Sequence, residues 1–281
     1  MICRSSGKKG TKMIFQDRKE LPLWEGAAPF AHGNEEGKDI PTITLYTPPQ
    51  WKRYDKAVVI YPGGGYTHLA QHEGKGYAEF LASNGIWAFV VNYRLGSNQY
   101  AHPAELNDAA RGVRMARLAA KELGFSPDKV GVMGSSAGGH LAAHISTCFD
   151  SEEIVYGSDE QEKISSRPDF SILCYPVISG VSEKRHKGSF LNLLCKEDPS
   201  YEERSKVSPE LYINKNTPKA FIWHTFMDKG VPMENSLMYA EKLRENDIPF
   251  ELHIYDKGGH GMGINNGHPW SEACIFWLSM I

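Results

Sequence analysis

Short apolar runs alternate with longer segments of helical periodicity from Ala57 to the end of the chain. This ordering admits few folds other than a mostly parallel sheet flanked by helices. The runs at 57–61, 86–93, 129–133, 170–175, 220–224 and 250–255 are almost continuously apolar, as strands buried on both faces must be. Between two of them Pro103 opens a pattern in which Leu106, Ala109, Ala110, Val113, Ala120 and Leu123 recur at helical spacing until Gly124 stops it. Amphipathic segments at 233–246 and 270–280 bracket the last strand, and 40–47 is expected to add an antiparallel strand at the edge. The expectation is a single α/β domain over 13–281. Residues 180–217 are charged, contain Pro199 and Pro209, and are too long for a simple strand–helix joint. They are expected to form a short cap-like insertion over one side of the functional site.

A formal charge of −3 over 281 residues, with no basic run interleaved with aromatics, argues against nucleic acid as a partner. The longest apolar stretches fall far short of the roughly 20 residues a membrane helix needs, so no membrane association is expected. Residues 1–12 are polar, lack the apolar core of a secretory signal, and are expected to be a disordered leader. The five cysteines are odd in number and widely spaced without a C-x-x-C pair, which suits reduced thiols in a cytoplasmic protein.

Gly134-Ser135-Ser136-Ala137-Gly138 is a G-x-S-x-G set directly after the run 129–133 and before a small-residue helix. A serine hydroxyl becomes a useful nucleophile when a tight turn exposes it beside a base, and flanking glycines permit the strained backbone such a turn needs. Ser136 holds that place and Ser135 does not. Tyr61-Pro62-Gly63-Gly64-Gly65-Tyr66 follows the first long buried strand, and side-chain-free backbone there can offer N–H groups to a developing oxyanion. No G-x-x-x-x-G-K-[ST] or G-x-G-x-x-G accompanies it, which sets phosphate cradling aside.

The partners of such a serine follow it in the order acid, then histidine. His260, in Gly258-Gly259-His260-Gly261, directly follows the last strand, whereas His253 falls inside that strand and His268 lies farther on. Asp228 follows the run 220–224; its rival role is to cap the next helix, and Glu234 and Asp256 are weaker alternatives as the acid. His140 and His144 have the spacing of a zinc pair, but Leu141 stands where a metalloprotease needs Glu. The pair reads as structural, and neither a metal nor a cofactor is expected. Tyr66, His68 and His72, just past the glycines, are candidates to line a substrate pocket.

Over about 21–278 the chain resembles the small α/β-hydrolases of the esterase/lipase group known as acetylesterases or acetyl xylan esterases, relatives of the hormone-sensitive-lipase-like enzymes. The motifs that carry the resemblance are the glycine loop, Asn92-Tyr93-Arg94-Leu95, Gly134 to Ala142, Ser208-Pro209-Glu210, Asp228 to Asn235 and Gly259-His260-Gly261. The resemblance implies the α/β-hydrolase fold, with Ser136 as nucleophile, Asp228 as acid and His260 as base. It implies the N–H groups of Gly64, Gly65 and Ala137 as oxyanion donors. The implied substrate is a small ester or an acetylated oligosaccharide, for which Tyr66 and Trp270 are candidate sugar platforms. Pro62 replaces the histidine of the lipase-like H-G-G-G, and Phe226-Met227 precede Asp228 where the family often has Ala-Asp. Rival functions are another acyl-hydrolase (peptidase, thioesterase or arylformamidase), which would share the triad, and a non-catalytic receptor, in which the histidine would be displaced.

Overall fold

The computed structural model describes residues 15–156, 163–264 and 267–281, so the expected leader lies outside the described residues. The eight strands are β1 (Glu20–Pro22), β2 (Thr42–Tyr46), β3 (Ala57–Tyr61), β4 (Trp87–Asn92), β5 (Val130–Ser135), β6 (Phe170–Cys174), β7 (Lys219–Thr225) and β8 (Phe250–Tyr255). They form one sheet in the order β1-β2-β4-β3-β5-β6-β7-β8. The pairs from β4 through β8 are parallel, and β1–β2 and β2–β4 are antiparallel. All six expected parallel strands are therefore present, but the expectation of burial on both faces fails for β8, which is the other edge of the sheet and is only half-buried, so Glu251 and His253 are accommodated in it. The expectation for 40–47 needs correcting: β2 is antiparallel but not the edge, because the three-residue β1 pairs along its outer side. Pro22, which lacks an N–H, suits that outermost position.

The helices are α1 (Gln71–Ser83), α2 (Ala104–Leu123), α3 (Ser136–Thr147), α4 (Lys187–Leu194), α5 (Tyr201–Lys206), α6 (Glu234–Glu245) and α7 (Trp270–Ser279). Alternate residues of β3 point to opposite faces, and each face has its own core. Val59 and Tyr61 pack with Leu106 and Val113 of α2, Leu141 of α3 and Leu243 of α6. Val58 and Ile60 pack with Tyr77 and Leu81 of α1 and Trp270 and Trp277 of α7. Gly124 ends α2 in a left-handed conformation, φ 90°, its N–H returning to the Ala120 carbonyl.

This order has a functional consequence. From β3 the chain runs to β4 on one side and then to β5 on the other, so the winding reverses at β3. The crevice beyond the carboxyl ends of β3 and β5 is the switch point where open α/β sheets bind ligands. The glycine loop leaves β3 there, and the G-x-S-x-G leaves β5.

Motifs outside this crevice brace it. Arg94 is buried and makes paired hydrogen bonds to Asp108 of α2, 2.9 Å from Nε and 2.8 Å from Nη2. The Tyr93 hydroxyl donates to the Pro62 carbonyl at 2.6 Å, tying β4 to the glycine loop. In the insertion, Asn192 of α4 donates to the Gly65 carbonyl at 2.8 Å, and Phe190 packs edge-on against His140 at 5.3 Å. Residues 180–217 thus brace one wall of the crevice.

Candidate active site

Ser135 ends β5 in extended conformation, and Ser136, the first residue of α3, turns to φ 53°. Left-handed backbone is costly for a non-glycine residue, and at this junction it is what projects Ser136 out of the strand line. A Cβ on Gly134 would overlap the Gly138 carbonyl, and one on Gly138 would overlap the Tyr61 carbonyl, so the glycines at both flanks are obligatory. The Ser135 hydroxyl is spent on a 2.8 Å hydrogen bond to Tyr77. Ser136 Oγ lies 2.7 Å from His260 Nε2.

His260 is carried by the loop after β8, and its Nδ1 lies 2.7 Å from Asp228 Oδ2. Asp228 sits in the loop after β7 with its side chain fully buried. Its Oδ1 accepts the N–H groups of Gly230 at 2.8 Å and Val231 at 3.0 Å. It does not cap α6, whose N-cap position is Met233 with no side-chain bond. Glu234 pairs instead with Lys184 at 3.2 Å. A residue that the sequence reading did not single out completes the acid's surroundings: buried His224 of β7, whose Nε2 lies 3.3 Å from Asp228 Oδ2 and 2.9 Å from the Val231 carbonyl. Burial by itself would raise the Asp228 carboxyl, but hydrogen bonds from His224 and His260 and the charge of His260 outweigh it and hold it well below the usual carboxylate range.

Gly64 and Gly65 both adopt positive φ, 128° and 64°, and neither N–H donates to an acceptor among the described residues. The Ala137 N–H belongs to the first turn of α3, where helix donors have no partner within the helix. Gly63 is different, because its N–H is taken by Glu73 Oε2 at 2.9 Å.

Two of the expected substrate residues need correcting. Tyr66 is 1% exposed; its positive φ of 62° accompanies an inward-facing ring, and its hydroxyl is 2.7 Å from His140 Nδ1. Trp270 is fully buried, stacked on Trp223 at 4.7 Å. Neither can present a platform to a sugar. His68 remains exposed beside Gly64, and His72 Nε2 reaches the Gly261 carbonyl at 3.0 Å, linking α1 to the histidine loop. Two further features were not singled out as site residues. His186, the N-cap of α4, is disfavoured as a cation by burial and then by the charge of His260, and its Nδ1 lies 2.8 Å from the Ser189 hydroxyl. Phe226 and Met227 are exposed apolar side chains directly before Asp228.

His140 and His144 are both buried in the core of α3, and His140 is satisfied by Tyr66 on one nitrogen and by the Val207 carbonyl, 2.7 Å, on the other. Nearby His102 holds Glu105 on Nδ1 and Glu153 on Nε2, each at 2.9 Å. These groups make stability pH-dependent. Burial depresses His140 from 6.5 to about 4, so below pH 6.5 the unfolded chain takes up a proton that the native state refuses. Burial opposes charge on His102, but Glu105 and Glu153 outweigh it and raise it to about 9; that contribution is complete below pH 6.5 and is lost as pH rises through 9. Urea midpoints are expected to peak near neutrality. Between pH 6.5 and 5 the His140 part alone should cost about 2 kcal/mol, and His140→Gln should remove that part of the acid-side loss. An unchanged acid limb in the variant would show that His140 is not its source.

A serine on a strained strand–helix turn, hydrogen-bonded to a histidine that is held in turn by a buried aspartate, at the switch point of this sheet, defines an α/β-hydrolase. More narrowly, the chain belongs to the BD-FAE family, whose model matches residues 43–243. It is 38% identical over 239 residues to an acetylxylan esterase of Xylanibacter ruminicola, covering 80% of this chain and 46% of that protein. It is 36% identical over 229 residues to endo-1,4-beta-xylanase B of Butyrivibrio fibrisolvens, covering 81% of this chain and 35% of that one. The chain thus spans between about a third and a half of the length of these curated relatives. Among solved structures it superposes on an acetyl ester-xyloside bifunctional hydrolase from Caldicellulosiruptor lactoaceticus with a TM-score of 0.86 and 39% identity, covering 95% of this chain and 97% of that one. Among the described residues no helix is long and apolar enough to cross a membrane, and Cys148, Cys174, Cys195 and Cys274 are unbridged.

Proposed function

We propose that the chain is a serine carboxylesterase that removes short acyl groups, acetyl foremost, from small esters and acetylated xylo-oligosaccharides. The observation that carries the reading is the unbroken relay from Ser136 Oγ through His260 to Asp228, with both links at 2.7 Å. A receptor built on a disabled hydrolase would have no need of this alignment. The sugar preference is supported by the names of the relatives that cover most of this chain, an acetylxylan esterase and an acetyl ester-xyloside hydrolase.

In this reading His260 Nε2 takes the proton of Ser136 as Oγ attacks the ester carbonyl. The carbonyl oxygen, now anionic, turns toward the N–H groups of Gly64, Gly65 and Ala137, which are fixed in place before reaction and need no reorganisation. His260 passes its proton to the departing alcohol, and the acyl group remains on Ser136. Water then attacks with His260 again as base, releasing the acid and restoring the serine. Asp228 keeps the Nδ1–H of His260 pointed inward throughout and stabilises the imidazolium between steps.

The test is a chain-length series of p-nitrophenyl esters from acetate to decanoate, run beside acetate release from acetylated xylo-oligosaccharides. Acetate is expected to give the highest kcat/KM and the sugars to be deacetylated. Faster cleavage of decanoyl esters would overturn the short-acyl reading. Cleavage of the small esters with no release from the sugars would overturn the carbohydrate reading.

A further inference from the structure

Glu73 stands in the first turn of α1 and is 2% exposed. A carboxylate in such a place is tolerated only when its oxygens are matched by donors, and the identity of those donors is informative. Oε2 accepts the Gly63 N–H at 2.9 Å, and Oε1 accepts the Tyr175 hydroxyl at 2.7 Å. The Tyr175 oxygen in turn accepts the Gly263 N–H at 3.1 Å and lies 3.1 Å from the Tyr77 hydroxyl, which receives the bond from Ser135. The Tyr175 ring also packs edge-on against the His260 ring, with centroids 5.1 Å apart. The glycine loop, the turn that presents Ser136 and the loop that carries His260 come from three distant stretches of sequence. They meet through one buried side chain and two tyrosines.

Resting on the esterase reading above, we propose that Glu73 is a positioning residue for catalysis. Its carboxylate holds Gly63 by the N–H and so turns the next two N–H groups, of Gly64 and Gly65, toward the oxyanion, while through Tyr175 it fixes how far the histidine loop stands from them. The space permits no substitute at Gly63 either: a Cβ there would overlap Glu73 Oε2 and crowd the Ser135 carbonyl. In Glu73→Gln one amide oxygen can still receive Gly63, but the amide nitrogen then faces a tyrosine hydroxyl that has been donating to it. Tyr175 must re-pair, and small displacements of reacting groups are expensive in rate.

Glu73→Gln is expected to lower kcat on p-nitrophenyl acetate by about 10- to 100-fold with KM within about twofold, because the loss falls on the transition state. Rates are taken per active site titrated with a fluorophosphonate, so that a smaller folded fraction does not register. Affinity for a trifluoromethyl ketone, whose tetrahedral adduct carries the oxyanion, should fall by the same factor as kcat/KM. Tyr175→Phe should lose less, and the double variant should lose little more than Glu73→Gln, because both act through one link. If Glu73→Gln folds too poorly to assay, Tyr175→Phe carries the ketone test alone. A Glu73→Gln enzyme with wild-type turnover per titrated site, or additive losses in the double variant, would overturn the proposal. Failure of the wild type to cleave any ester would instead overturn the esterase reading.

Discussion

Ser136→Ala is expected to fold normally and to lose ester hydrolysis by about five orders of magnitude in kcat, since among the described residues Ser136 is the hydroxyl hydrogen-bonded to His260 Nε2. Ser135, the one adjacent candidate, is engaged by Tyr77 and lies within the strand. Circular dichroism and urea unfolding establish the fold, and turnover of p-nitrophenyl acetate reads the chemistry. Activity within tenfold of wild type would remove Ser136 from the mechanism. Ser136→Gly gives an independent check on the turn. Both variants lack the hydroxyl and hold residue 136 at φ 53°, but only alanine has a Cβ that makes this left-handed backbone costly. The glycine variant should therefore be more stable than the alanine variant by about 1 kcal/mol, although equally inactive. Equal stabilities would show that the backbone at Ser136 carries no strain.

Much of this site was legible in the sequence because its parts announce themselves locally. Five of the six runs, those of β3 to β7, are inner strands buried on both faces and so apolar without alternation, and a serine after β5, an aspartate after β7 and a histidine after the edge strand β8 all emerge at the carboxyl end of one parallel sheet. What could not be read depends on contacts between distant segments. β1 is three residues long with a proline, too short for any periodicity, so β2 looked like the edge. Tyr66 and Trp270 lie close in sequence to functional loops, and an aromatic in such a place reads the same whether it points to solvent or core. The positive φ at Tyr66 and the Trp223 stack under Trp270 decide for the core. His224 sits in an apolar strand, and only the fold of the next loop brings Asp228 back against it. Glu73 lies in the first turn of a helix, the commonest place for an exposed acid, and its partners Gly63 and Tyr175 are unreadable without the sheet order.

Asp228→Asn should be the next most damaging change to turnover after Ser136→Ala while changing the packing little. The Asn carbonyl can still receive the N–H groups of Gly230 and Val231, so the turn is preserved. The amide nitrogen then occupies the place of Oδ2, 2.7 Å from His260 Nδ1, and donates where the carboxylate accepted. His260 is driven to accept at Nδ1 and to carry its proton on Nε2, facing Ser136 with a donor where catalysis needs a base. His224 resists the change as well, since its Nε2 donates to the Val231 carbonyl and would meet a second donor at 3.3 Å. The expected loss in kcat is about 10³- to 10⁴-fold, with KM little altered. Because its neighbours hold Asp228 well below the usual carboxylate range, the wild-type acid stays ionised in mildly acidic buffer, and the variant's deficit should persist from pH 5 to 8. Turnover measured across that range, alongside the urea midpoint, checks both statements. Activity within tenfold of wild type would mean that another carboxylate, Glu234 or Asp256, orients the base.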